Sequence, residues 1–180
     1  MKIVKNVEEV VNAKLVKPGS RIYASGNAAT PQVLLQQLAL DQEIRAVELV
    51  GVLFLGEMGG LFSESSCRRI THRVIFNSHH TREAVNNGWA KYQLMHLGDI
   101  PRQVRHYLRP DVAMITIAGP DNGGNYSLGT TVEGVMAAIG TVKAQGGLVI
   151  AERNAQMPFV LGATVPAAQI DYRIDTDYPP

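Results

Sequence analysis

Short, almost continuously apolar runs alternate along this chain with segments whose apolar residues recur at helical spacing. Residues 111–117 are the clearest of the runs, with Val112, Ala113, Met114, Ile115 and Ile117 interrupted only by Thr116. A strand covered on both faces has this pattern, so this one is expected near the middle of a sheet. Residues 21–24, 46–54, 72–76, 92–95 and 148–152 predict further strands. Between them the spacing predicts helices over 7–16, 31–40, 82–87, 102–108 and 132–139. Asn6 and Glu9 give the first helix an N-cap and a carboxylate at its third position, and Pro18 and Gly19 stop it. Pro31 and Pro101 stand at helix starts, where proline is favoured; Thr81 is placed to cap a short helix and Gly88 to end it. Strands and helices alternate almost throughout, which predicts an α/β fold with a mainly parallel sheet flanked by helices on both faces.

In such a sheet the loops that follow residues 24, 117 and 152 share the carboxyl edge of the strands, where ligands gather. The first, residues 25–30, contains Gly26 and Asn27 and leads into Thr30 and Pro31. Free backbone N–H groups at the helix start there suit an anion or a carbonyl oxygen. The second, residues 118–130, is dense in Gly, Asn and Asp, which tolerate tight turns and allow a ligand close to the main chain. The third, residues 154–158, ends in Met157 and Pro158. None of the three carries a nucleophile beside an evident base.

Composition narrows the chemistry. A chain of 180 residues suits one domain, burying roughly 70% of its unfolded surface. The formal charge of +1 gives no global electrostatic case for nucleic acid or an anionic membrane. A single cysteine, Cys67, excludes an internal disulfide framework and a Cys-rich metal site, and fits a reducing cytoplasm. No apolar run is long enough to cross a bilayer and the start lacks a signal-peptide core, so a soluble, unexported protein is expected. Adjacent His79 and His80 on a strand would point to opposite faces, and His72 adds no completing ligand, so no metal is expected. Gly26 lacks both the spaced glycines of a dinucleotide fingerprint and the glycine-lysine ending of a phosphate loop. Arg68, Arg69, Arg73 and Arg82 read as a solvated basic face, with Cys67 an incidental or buried thiol among them.

Three segments, taken in order, carry a resemblance: Gly98-Asp99-Ile100-Pro101, then 121–129 with its Ser127-Leu128-Gly129 ending, then 151–158 with its Met157-Pro158 ending. Together they resemble the amino-terminal half of the acetyl-CoA hydrolase/transferase family, in particular its 4-hydroxybutyrate and butyrate:acetate coenzyme A transferases. Residues 82–88 also look like the family's segment before the Ile-Pro helix, and the resemblance runs from the first helix to about Gly162. It implies two similar α/β halves of coenzyme A transferase (NagB/RpiA-like) fold. It also implies transfer of coenzyme A from an acyl thioester to a small carboxylate of the acetate, butyrate or 4-hydroxybutyrate class. The coenzyme A thioester is then a substrate, with no permanently bound cofactor.

The nucleophile the resemblance implies is a glutamate of the second half, which attacks the thioester to give an acyl anhydride. The returning thiolate leaves a glutamyl thioester, from which a second carboxylate takes the coenzyme A. Glu57, Glu64, Glu83, Glu133 and Glu152 do not match that glutamate, so no catalytic residue is assigned within residues 1–180, read as the amino-terminal domain. The residues implied to line the substrate site are Gly26, Asn27, Asn125, Ser127, Met157 and Pro158. The implied partners are acyl-CoA, a small carboxylate and the carboxyl-terminal half; the apolar surface of a lone half would also favour a homo-oligomer. Two other readings stay open: an acetyl-CoA hydrolase, with water as acceptor, and a non-catalytic binding or assembly domain. Phe159, Val160, Leu161 and Gly162 stand where the family usually continues with Arg and Thr, and an apolar wall there would suit a longer acyl chain.

Overall fold

A computed structural model describes all residues, 1–180. Its strands are β1 (Lys2–Val4), β2 (Arg21–Ala24), β3 (Val47–Gly51), β4 (Ile70–Val74), β5 (Lys91–Tyr92), β6 (Val112–Ile117), β7 (Asn125–Ser127), β8 (Leu148–Asn154), β9 (Thr164–Pro166) and β10 (Tyr172–Thr176). Eight of them form one sheet in the order β1-β10-β8-β6-β2-β3-β4-β5, with every neighbouring pair parallel. The remaining two, β7 and β9, pair antiparallel as a separate ribbon. The α-helices are α1 (Gln32–Leu40), α2 (Glu64–Cys67), α3 (Arg82–Asn86), α4 (Ile100–Gln103) and α5 (Val135–Ala144). The α/β reading therefore holds, and β6, wholly buried, lies inside the sheet as its apolar run predicts.

Alternation along the strands splits the core into two layers. Ile22 and Ala24 of β2, Val112 and Met114 of β6 and Ile150 of β8 face one side, against Leu34, Leu35 and Leu38 of α1 (Gln32–Leu40). Tyr23, Ala113, Ile115, Ile117, Val149 and Ala151 face the other. There they meet Ile100 of α4 (Ile100–Gln103), Val104 and Leu108 of the π-helical continuation Val104–Leu108, and Val135, Ala138, Ile139 and Val142 of α5 (Val135–Ala144).

Several boundaries differ from the sequence reading. The predicted helix over 7–16 is only a 3-10 turn, Val7–Glu9. Asn12 accounts for the break: its side chain donates back to the Glu8 carbonyl and accepts from the Lys14 and Leu15 N–H groups, a local alternative to helix. Val10, Val11 and Val16 are buried all the same. The 72–76 strand begins two residues earlier, at Ile70, and the 92–95 strand is only Lys91–Tyr92. The 132–139 helix is shifted to Val135–Ala144, while β1, β7, β9 and β10 lie in segments without a predicted strand.

The basic stretch is not a solvated face throughout. Arg69 donates to the carbonyls of Ala39, Asp41 and Ile44, and Arg73 to Glu48 and Gln93. Arg68, paired with Glu64 one turn away, and exposed Arg82 fit that reading. His72 is buried against Phe62 with ring centroids 4.7 Å apart, and neither ring nitrogen has a hydrogen-bond partner. Burial pushes its pKa down to about 3, leaving a neutral core imidazole. His79 and His80 lie in a turn rather than on a strand, and their rings are in contact, tilted by 40° with centroids 3.8 Å apart, instead of facing apart. The Cys67 thiol is pushed up by burial, opposite to the effect of neighbouring cations.

Candidate active site

Because β8, β6 and β2 are adjacent and parallel, the loops at their carboxyl ends are neighbours. They meet at one point: Ala29 of the first loop, Ala118 of the second and Met157 of the third form a small buried cluster. Two contacts pin the first loop to β6. Ser25 N–H donates to the Met114 carbonyl, and the Ser25 hydroxyl accepts from Thr116 N–H while donating to the Ala29 carbonyl. Asn27 adopts a left-handed conformation, φ +52°, and its N–H donates to the Leu53 carbonyl beyond β3.

The six residues expected at the substrate site fall into three groups. Gly26 and Asn27 sit together and face Glu133, whose Oε1 accepts from Asn27 Nδ2 at 2.6 Å. Met157 lies against Gly129 and Thr130 of the second loop, with Pro158 exposed beside it. Asn125 and Ser127 are not on an irregular loop: they belong to β7, paired with β9. Asn125 is bound to Asp121, whose carboxyl stays below the usual carboxylate range chiefly because it accepts from Asn125 N–H.

Ser127 is buried and occupied. Its hydroxyl accepts from Val160 and Gly129 N–H and donates to the Val160 carbonyl. It thereby fixes the segment bearing Phe159 and Leu161, the latter 90% exposed. Replacing Ser127 with alanine is expected to cost about 1–2 kcal/mol, because two main-chain donors and one carbonyl lose their partner. Urea denaturation of the two chains checks this, and coincident midpoints would overturn it.

Two glutamates have a larger part than the sequence reading gave them. Glu133 follows the second loop just before α5, with φ +39° and the Tyr23 hydroxyl beside its carboxyl. Burial raises its pKa to about 7 despite hydrogen bonds that favour the charge. Glu152, at the end of β8, accepts from Leu34 N–H at 2.8 Å and from the Tyr178 hydroxyl at 2.6 Å. The acceptor expected at the start of α1, an anion or a carbonyl oxygen, is thus a carboxyl oxygen from within the chain. The available signals were a tyrosine inside an apolar strand and acidic residues in apolar stretches. A groove of about 600 Å³ beside Gly19, Asp111 and Gly147 lies at the opposite, amino edge, away from these loops.

The acetyl-CoA hydrolase/transferase N-terminal domain, as a sequence family, matches residues 1–178. This chain belongs to that family. A 4-hydroxybutyrate coenzyme A transferase of Clostridium kluyveri is 29% identical, over 96% of this chain and 42% of that protein. A succinyl-CoA:cyclohexane-1-carboxylate CoA transferase of Geobacter metallireducens is also 29% identical, over 93% of this chain and 37% of its own length. The chain therefore spans about two fifths of the length of these curated relatives. Among solved structures, RipA from Yersinia pestis superposes with a TM-score of 0.87 at 21% identity, over 99% of this chain and 43% of that one. A 4-hydroxybutyrate CoA-transferase from Porphyromonas gingivalis gives 0.75 at 21% identity, over 99% of this chain and 40% of that one. These two likenesses establish the shared fold of this family member.

Proposed function

We propose that this chain is the amino-terminal half of a coenzyme A transferase that moves coenzyme A between an acyl-CoA and a small carboxylate. A glutamate of a carboxyl-terminal half is the nucleophile and carries the glutamyl-CoA thioester. The observation that carries this reading is the meeting of the three loops at Ala29, Ala118 and Met157, a shaped edge flanked by half-buried Glu133 and buried Glu152, each hydrogen-bonded within the chain. Glu133 is tied through one oxygen to Asn27, and Glu152 to α1 and Tyr178, so each carboxyl is held by the fold rather than presented at the edge. A glutamate brought to this edge by a second half fits that arrangement.

On this reading Gly26, Asn27, Met157 and Pro158 line the acyl and carboxylate pocket, with Asn125 and Ser127 supporting its rim. Exposed Leu161, Val160 and Phe159 form an apolar stretch that the second half and a longer acyl chain would cover. No helix is long and apolar enough to cross a membrane, and we place the reaction in the cytoplasm. The test is exchange of labelled acetate into acyl-CoA by the chain alone and by the chain combined with a carboxyl-terminal half from a family member. Exchange is expected only in the combination. Exchange by the chain alone would overturn the assignment of the nucleophile, and none in either would overturn the transferase reading.

A further inference from the structure

Asn27 and Glu133 stand on different loops, more than a hundred residues apart in sequence, and both hold left-handed backbone conformations, φ +52° and +39°. Asparagine tolerates that region, but glutamate rarely occupies it, and such strain persists only where the surroundings enforce it. Here the two strained residues are joined to each other by the 2.6 Å Asn27 Nδ2 to Glu133 Oε1 bond. Gly26 packs so closely that a Cβ there would stand 3.1 and 3.3 Å from the two carboxyl oxygens. Oε2 is buried without a hydrogen-bond partner of good geometry.

The groups facing this carboxyl are few. From β2 comes the Tyr23 hydroxyl, which accepts from Gly134 N–H; from the first loop come Asn27 and Gly26; from α4 and its continuation, Ile100 and Val104 pack on Gly134. No charged side chain among them offsets an ionised carboxylate, and the Tyr23 hydroxyl is itself pushed up by burial and by Glu133.

We propose that Glu133 is a positioning residue of the transfer site, a proton-bearing clasp that holds the Gly26–Asn27 turn against the loop before α5. Protonated, it leaves this edge uncharged and open to a carboxylate. Ionised, it sets a like charge beside the acceptor and weakens its binding. The clasp stands on the Asn27–Glu133 bond, the close approach of Gly26 and the burial of the carboxyl, whereas its effect on the acceptor rests on the transferase reading above.

Two readouts separate these parts. In the 180-residue chain, the Gly26, Asn27 and Gly134 amide resonances are expected to titrate together with a midpoint near 7. Glu133→Gln is expected to abolish that inflection. Asn27→Gly keeps a residue suited to the left-handed turn but removes the donor that lowers the carboxyl's pKa, so it should move the midpoint upward. A flat wild-type profile, an inflection that survives Glu133→Gln, or a midpoint that fails to rise in Asn27→Gly would overturn the clasp.

In the chain joined to a carboxyl-terminal half, the acceptor KM is expected to rise about tenfold as Glu133 ionises, with a smaller change in kcat, as for a like-charge effect of one pKa unit. The Glu133→Gln enzyme should lack that rise, and identical KM profiles would overturn the effect on the acceptor. A joined enzyme without any transfer sinks the transferase reading instead, while the amide titration still decides the clasp.

Discussion

Replacing Gly26 with alanine is expected to destabilise the chain by about 1–3 kcal/mol and to slow coenzyme A transfer by the joined halves on the order of one hundredfold. The new Cβ would stand 2.5 Å from the Leu53 carbonyl oxygen, a backbone atom that cannot swing aside as a side chain would. That oxygen already accepts the Asn27 N–H at 2.7 Å, so moving it breaks the bond that sets the turn. On the other side lie the Glu133 oxygens, so the methyl group has no free direction. The turn must shift, carrying with it Asn27 and the wall of the proposed pocket. A displacement of this size is small for the fold but large for a reacting geometry, hence the greater effect on turnover. Gly98→Ala supplies the control, since a Cβ there meets nothing within 4 Å and its φ is not positive; surface substitutions of this kind change stability by about 0.5 kcal/mol or less. Denaturation midpoints and turnover measured on both variants decide the matter. Gly26→Ala behaving like Gly98→Ala in both would remove the turn from the site.

The sequence made the layers of this fold legible because parallel, doubly covered strands leave an unambiguous apolar run. Val112 through Ile117 is such a run, and it lies inside the sheet, wholly buried. The elements that escaped are those whose stability comes from distant partners. β1 exposes Lys2 and Ile3 and exists because it pairs with β10; β7 is three residues made into a strand by β9. Local pattern carries no signal for such pairing. The first helix failed for the opposite reason, a local one: Asn12 satisfies its own neighbours and the valines are buried without a helix.

At the site, the loop that carries Gly26 and Asn27 and the loop that carries Met157 meet through Ala29 and Ala118, and the chain's topology explains why. Three adjacent strands run the same way, so three loops must meet. Asn125 and Ser127 were read as loop residues because their Gly- and Asn-rich setting masks the β7–β9 ribbon. Glu133 and Glu152 could not be valued from spacing, since burial alone gives them their character. The Asn27 to Glu133 bond spans 106 positions, and Tyr178 reaches Glu152 across 26.

Glu152 carries the other large expectation. Its side chain is fully buried, accepting from Leu34 N–H at the start of α1 and from the Tyr178 hydroxyl, whose single proton has the Thr30 carbonyl as its alternative acceptor. Truncation to alanine leaves the Leu34 main-chain donor without its acceptor, takes the shorter of two acceptors from the Tyr178 hydroxyl and opens a void, so Glu152→Ala is expected to cost roughly 3 kcal/mol. Glu152→Gln keeps the shape and separates the charge from the hydrogen bonds. Burial is the largest influence on this carboxyl and raises its pKa from 4.5 to about 7, outweighing the donors that favour the anion. In the folded chain the neutral acid can donate to Tyr178 while Tyr178 donates to Thr30, so no polar group is stranded. A raised pKa means that the folded state holds the proton more tightly than the unfolded one. The stabilisation is therefore full below pH 4.5 and is lost as pH rises to about 7. That interval corresponds to about 3 kcal/mol, taken as the stability of the wild-type chain minus that of Glu152→Gln. The difference should fall across this window and then stay level to pH 9. Tyr178→Phe, which removes one donor that lowers the pKa, should extend the fall to higher pH. Urea titrations at a series of pH values measure all three chains. A difference that stays constant between pH 4.5 and 7, or that grows with pH, would show that Glu152 is ionised in the folded chain and that its donors outweigh burial.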